Sequence, residues 1–375
     1  MRFVFLATLI SLSVWGQEVT PTQRTYQSLN FQDDLDFLHL PKAVDRQLAN
    51  YARRGLSGTI KFGTKVYPRT VLKDSLVLLK ELALEAQACL KDHERQVCED
   101  EFSRQINEKF AIYTPVLKST ERGYAQKKTY FTSYYTPDFR GSKVETAEYK
   151  NPIYALPQTT EDRTLSRVEI DLDQKLKGKN LEFMWVKETL FDIYFMHIQG
   201  GGRVVLPDGS VTYLSYAGAN GKKFRFISEY LISQGLMQRG TINYFNQREF
   251  LEENPQHQRG AYETAPFFIY FKETSEEPHG LDNISLTEGR SLAWDNTVYK
   301  TLGVINFVKT VKTVQYDQNG QPQKVPFSRF FIAQDTGSAI RGNARCDLYW
   351  GYGEEALKVA AKLVELGDQY FLIKK

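Results

Sequence analysis

The chain has few of the residues that mark metal or redox chemistry: three cysteines and five histidines in 375 residues. No two cysteines stand at the CxxC spacing of zinc sites, and His39, His93, His197, His257 and His279 show no close ligand spacing, so neither a metal nor a cofactor is expected. Charge of one sign is also lacking. With 48 Lys and Arg against 45 Asp and Glu, the net +3 is too even for the electrostatic footprint of a nucleic-acid binder. Arg2 precedes an apolar run from Phe3 to Leu12 and a polar start at Gln17. That run is too short for a stable membrane span and has the pattern of a secretory signal peptide over residues 1–16. No cysteine follows it to serve as a lipoprotein acceptor. In an oxidising compartment Cys89 and Cys98 could close a short loop, leaving Cys346 over.

What is present describes a folded protein, 42% hydrophobic and 25% charged, long enough for two domains. The 22 Tyr and 24 Phe serve either a core or a groove for sugars, whose faces and hydroxyls suit tyrosine. Residues 17–143 carry three helical stripes, through Ala43, Leu48 and Tyr51, through Leu72, Leu76, Leu79, Ala83 and Ala86, and through Phe102, Ile106 and Phe110. They lead into a strand at 129–137, TYFTSYYTP, aromatic on both faces and stopped by Pro137. Residues 144–263 read as a β-rich domain with strands at Ile153–Leu156, Val168–Leu172 and Phe191–Ile198, and a hairpin around Pro207, Asp208 and Gly209. One helix through Phe226, Tyr230 and Leu231 is stopped by Gly235. In residues 264–375, a strand at Phe267–Phe271 precedes a long hairpin turning at Asp317–Gly320. A helix then opens at Glu354 and ends by Gly367, before a closing strand at Tyr370–Ile373.

The stretch FIAQDTGSAIRGNARCDLYWGYG, 331–353, is where chemistry is most expected. An apolar strand ends on Asp335, a small-residue loop lets a ligand approach the backbone, and a second strand delivers Asp347. As an isolated pair these are two solvated turn aspartates. His197 in its strand reads as structural, and Gln199 beside three glycines is the more interesting residue.

The motifs FTSYYTP (131–137), MHIQGGGRVVLPDGS (196–210), YAGANGKKF (216–224), GRSLAWD (289–295), AQDTGSAIRG (333–342) and RCDLYWGYGEEA (345–356) occur in an order and spacing that resemble the membrane-bound lytic murein transglycosylase A family. The likeness runs from about Thr129 to the C terminus. It implies a mainly β fold, a double-psi β-barrel built from the 129–137 strand and the chain after Phe267, with a second β domain inserted and a glycan groove between them. It maps a three-aspartate signature onto Asp295, Asp335 and Asp347, with Asp347 as the single acid and base, Asp335 organising it and Asp295 supporting the barrel turn. Tyr135, His197, Gln199, Gly200, Tyr216, Gln334, Gly337, Ala339 and Ile340 are the expected glycan contacts. The implied protein is a periplasmic monomer, soluble or held at the outer-membrane periphery, acting on peptidoglycan strands.

The reaction so implied needs one carboxyl group, because the muramyl C6 hydroxyl attacks its own anomeric carbon where ordinary glycosidases use two carboxyls and water. The acid must be protonated near neutrality, far above an unperturbed Asp at about 3.9. Arg345 shares a strand face with Asp347 and would oppose this, so its side chain is expected to point elsewhere. The competing readings are a hydrolase using Asp335 and Asp347 with water, a non-catalytic glycan-binding module, and an aspartic-protease relative, for which the second DTG is missing.

Overall fold

The structure, a computed structural model, describes residues 18–316, 322–337 and 339–375. The signal-peptide expectation for residues 1–16 and the tip of the long hairpin at 317–320 lie outside them. No helix among the described residues is long and apolar enough to cross a membrane.

The three helical stripes form α1 (Leu40–Arg54), α2 (Val71–Asp92) and α3 (Arg95–Lys109). Their buried residues recur every three or four positions, as in Leu72, Ser75, Leu76, Leu79, Leu82, Ala83 and Ala86 of α2. Cys89 and Cys98 are disulfide-bonded across the α2–α3 corner. These helices share a core with the barrel: Phe37 packs at a tilt against Phe102 at 4.5 Å between ring centres, and Phe102 meets Phe330 at 5.7 Å. Beneath them Arg290 and Asp33, both fully buried, form a two-pronged ion pair at 2.6 and 2.8 Å.

Twelve strands make the barrel and the insertion: β1 (Thr129–Thr136), β2 (Asp138–Ser142), β3 (Asn151–Tyr154), β4 (Glu182–Val186), β5 (Gly201–Val205), β6 (Val211–Ala219), β7 (Ile269–Thr274), β8 (Ser291–Trp294), β9 (Ile305–Tyr316), β10 (Pro322–Thr336), β11 (Arg345–Tyr352) and β12 (Glu365–Lys374). The order β9-β10-β8-β11-β1-β12 closes on itself through a β9–β12 pairing, giving a six-stranded barrel. Two pairs, β8 with β10 and β1 with β11, are parallel and the others antiparallel, in keeping with the double-psi expectation. Strands Phe110–Pro115 and Thr22–Thr25 extend the sheet from β12.

The inserted sheet runs β7-β6-β5-β2-β4-β3. This corrects the expected boundaries of 144 and 263. β2 already pairs with β5, and β7, assigned from sequence to the barrel, pairs with β6 from Tyr213↔Thr274 to Ala219↔Ile269. The insertion therefore spans 138–274. Two expected strands within it are helices, α4 (Arg167–Asp171) and α5 (Leu190–Gln199). Each begins with a capping box, Ser166 with Glu169 and Thr189 with Asp192, which satisfies the first free N–H groups of a helix. Three more helices, α6 (Ile227–Ser233), α7 (Tyr244–Glu253) and α8 (Gln258–Thr264), pack with α5 around Leu231, Leu251 and Tyr262. The last helix, α9 (Gly353–Ala360), stops before Gly367, which lies inside β12.

Candidate active site

Register places the chemistry. In the parallel β1–β11 pair, Tyr130 stands opposite Arg345, Thr132 opposite Asp347 and Tyr134 opposite Tyr349. Alternate residues of a strand share a face, so these six side chains form one row. The Tyr134 and Tyr349 end of the row opens into a cleft of about 370 Å³ between barrel and insertion. Its walls include Tyr134, Tyr135, Asp335 and Tyr349 from the barrel side and Gln199–Gly202 and Tyr213–Tyr216 from the insertion.

Asp347 is the next step along the row from the cleft. Thr132 Oγ1 donates to its Oδ1, and Arg345 Nη1 meets the same oxygen at 2.5 Å. The expectation that Arg345 points elsewhere is overturned, because residues two apart on a regular strand do project together. The contact is to one oxygen only; among the described residues nothing donates to Oδ2. Burial pushes the carboxyl pKa up, Arg345 pulls it down by charge and hydrogen bond, and burial prevails.

Asp335, at the end of β10, accepts from Tyr134 Oη at 2.8 Å on Oδ2 and from the Thr336 N–H at 2.8 Å on Oδ1. Burial raises its pKa to about 6; the Asp347 charge adds to this, and the hydrogen bonds from Tyr134 and Thr336 resist it. Burial also holds the Tyr134 hydroxyl protonated, as a donor.

Asp295 is buried and does structural work on the loop between the other two aspartates. Its Oδ1 takes the Thr297 N–H and hydroxyl, and its Oδ2 takes the Gly342 N–H at 2.9 Å. From the other side Glu121 accepts the N–H groups of Asn343 and Ala344. Gly342 has φ +105°, and a Cβ there would stand 2.7 Å from the Glu121 carboxylate, so the clamp requires glycine.

Of the expected glycan contacts, Tyr135, Gln199, Gly200 and Tyr216 line the cleft. The Gln199 side chain accepts the Tyr135 N–H at 3.4 Å, bridging the two units, and Tyr216 is 55% exposed. Gly200 ends α5 with a left-handed φ of +83°. His197, Gln334 and Ile340 are corrected to interior roles. His197 is buried on α5, bonded through Nδ1 to Arg167 at 2.7 Å and packed on Phe268, with burial holding its pKa far down. Gln334 is fully buried, bonded to Ser291 and the Ala43 carbonyl. Ile340 buries its side chain and donates its N–H to Gly337 O. Gly337 and Ala339 lie on the loop outside the cleft walls, with neighbouring Ser338 beyond the described residues. Sequence reasoning missed Thr132, Tyr134, Tyr349 and Glu121; the alternation around Tyr134 signalled a strand, but only pairing shows which face meets the aspartates. No group of three or more potential metal ligands occurs among the described residues.

Two family models match in sequence order: the MltA specific insert domain over residues 130–272 and the 3D domain over residues 290–372. The first range ends within β7, in agreement with the sheet that strand joins. In both matches the chain is similar to the membrane-bound lytic murein transglycosylase A family. Over 229 residues it is 30% identical to membrane-bound lytic murein transglycosylase A of Escherichia coli K12, an alignment spanning 60% of each chain. The structure of Escherichia coli MltA with bound chitohexaose superposes with a TM-score of 0.71 at 21% identity, covering 96% of both chains. The lytic transglycosylase LtgG of Burkholderia pseudomallei gives 0.60 at 22% identity, covering 96% of this chain and 99% of that one. At such identities the two structural likenesses establish the fold alone.

Proposed function

We propose that this chain is a lytic transglycosylase that cleaves the bond between N-acetylmuramic acid and N-acetylglucosamine in peptidoglycan, with Asp347 as its only acid and base. One observation carries the assignment: Asp347, pushed toward the protonated state by burial, has both of its polar contacts on Oδ1, leaving Oδ2 for a proton one step along the strand from the cleft wall at Tyr134 and Tyr349. The Oδ2 proton passes to the departing glycosidic oxygen as the C–O bond breaks. The carboxylate then takes the proton of the muramyl C6 hydroxyl, whose oxygen closes on C1 to give a 1,6-anhydro ring, and no water is consumed. Attacker and electrophile belong to one sugar, which removes most of the entropy cost of bringing them together. Asp335 and Tyr134 form the cleft wall next to the acid. Asp295 and Glu121 fix the loop at Gly342, Asn343 and Ala344, directly before the strand that carries Asp347.

The family match supports this reading, as does a cleft lined by tyrosines and amides suited to sugar faces and hydroxyls. The protein then acts as a monomer on glycan strands in the bacterial envelope, in the periplasm or at the periphery of the outer membrane. Digestion of purified sacculi with mass analysis of the fragments tests it. Wild type is expected to release muropeptides with 1,6-anhydro ends, and Asp347→Asn none. Products ending only in reducing sugars, heavier by one water, would replace it with hydrolysis by the Asp335 and Asp347 pair, of which Asp335 is raised by burial to a pKa of about 6.

A further inference from the structure

The end of the row away from the cleft is organised around a guanidinium. Arg345 donates from Nη1 to Asp347 Oδ1 and to the Cys346 carbonyl at 2.9 Å. Its charge lies 4.9 Å from the centre of the Tyr130 ring, the residue opposite it in the strand register. The same ring carries Arg122 at 4.3 Å, and Arg122 also donates to the Tyr130 hydroxyl at 2.5 Å. Two cations on one aromatic ring give Arg345 a fixed seat, since cation–π contact and hydrogen bonds act on it together. A surface arginine that paired by chance would have its acid and little else.

We infer that Arg345 is a positioning residue for the reaction proposed above: seated on Tyr130, it holds Oδ1 of Asp347 and so fixes Oδ2 as the proton-carrying oxygen and sets the pH range in which it carries one. The inference rests on Asp347 being the proton carrier. Thr132 shares the holding of Oδ1 but brings no charge.

The groups around Asp347 leave Arg345 as its charge partner. From β1, burial holds the Tyr134 phenol protonated, and Tyr130 is the ring on which the guanidinium sits. Ala293 of β8 stands directly opposite Asp347. On β11 itself, Cys346 is a buried thiol pushed up to about 12, and Tyr349 is a buried phenol pushed higher. From β10, Asp335 is an acid and opposes ionisation of its neighbour. Arg341 on the loop turns to Asp295, 3.8 Å away, and Glu354 and Glu355 of α9 are exposed and paired with Lys358. Removing the Arg345 cation therefore favours the protonated acid. A general acid loses activity as pH rises through its pKa, so the alkaline limb of the pH–rate profile must move upward. An opposite charge at this range shifts a carboxyl by about one unit or more.

The experiment is a carboxyl ¹³C NMR titration of substrate-free wild type, Arg345→Met and Arg345→Lys, with Asp347→Asn identifying the resonance, alongside pH–rate profiles on sacculi. Arg345→Met is expected to raise the Asp347 midpoint and the alkaline limb together by about one unit and to lower kcat at the optimum. Arg345→Lys is expected to bring the midpoint back toward wild type. Should Arg345→Met fail to fold, Tyr130→Leu, which unseats the guanidinium, is expected to shift the midpoint in the same direction. An unchanged or lowered midpoint, or a lysine variant shifted as far as methionine, overturns the inference. Absence of anhydro products from wild type would remove the proposed reaction instead, and the titration would still decide whether Arg345 governs Asp347.

Discussion

The Tyr134 hydroxyl donates to Asp335 Oδ2 at 2.8 Å, giving a carboxylate in the cleft wall a neutral donor in place of a cation. The consequence is an acid raised to about 6 chiefly by burial. Below about 3.8 both folded and unfolded chains hold this proton; between there and about 6 only the folded chain does. The stabilisation is thus complete at low pH and is lost as pH rises through the folded value. Asp335→Asn is expected to stabilise the fold at pH 8 by up to roughly 3 kcal/mol, less to the extent that its cleft edge meets solvent, with no gain near pH 3. Urea unfolding at the two pH values measures the difference; an equal gain at both would mean that the charge is not responsible.

Arg290 and Asp33 present the opposite case, a buried charge pair with every prong used. Besides pairing, Arg290 donates to the carbonyls of Leu38 and Phe330, and Asp33 accepts the N–H groups of Leu35, Phe37 and Phe330. Arg290→Ala leaves that carboxylate buried without its cation and is expected to cost about 3–5 kcal/mol in urea unfolding. Loss of less than about 1 kcal/mol would show that water replaces the arginine.

Asp295 is expected to act through the loop and not on substrate. Burial raises its pKa, but the bonds from Thr297 and Gly342, with the Arg341 charge, together bring it below the usual value. Asp295→Ala should speed amide hydrogen exchange at Thr297 and Gly342, cost about 1–3 kcal/mol, and lower kcat more than it raises KM. Unchanged exchange at Gly342 would exclude the clamp.

Exposure separates the remaining aromatic and polar candidates. Tyr216→Ala is expected to raise KM on glycan strands while leaving stability within about 0.5 kcal/mol, since its ring is exposed at the cleft. His197→Ala removes a buried partner of Arg167, so its effect should appear in thermal melting first. A Tyr216 variant with wild-type KM would remove that ring from the glycan path.

The sequence reading was strongest where pattern and structure are both local. The strand ending at Asp335, the loop, the strand carrying Asp347, the 207–209 hairpin and the stripes of α1 and α2 all follow from period and turn residues. It failed where a short segment is buried on most sides. Phe191–Ile198 is apolar in both strand and helix periods, and only the Thr189–Asp192 capping box signals the helix. Which sheet receives Ile269–Thr274 is a long-range matter that no local pattern carries. At the site, Asp335, Asp347 and Asp295 were legible as acids from motif alone. The partners Tyr134, Thr132 and Glu121 were not, because they arrive from segments more than 200 residues away in the chain.

That separation also dictates an order of assembly. Thr132 and Asp347 are 215 positions apart, and the strand carrying Thr132 finds its neighbours β11 and β12 only in the last stretch of chain. All six strands of the inserted sheet have left the ribosome well before then. The insertion is therefore free to form first, while β1 waits with unpaired edges for the C terminus, and closure of so distant a pair is intrinsically slow. Any truncation that removes β12 should leave a folded insertion attached to an open, association-prone barrel edge.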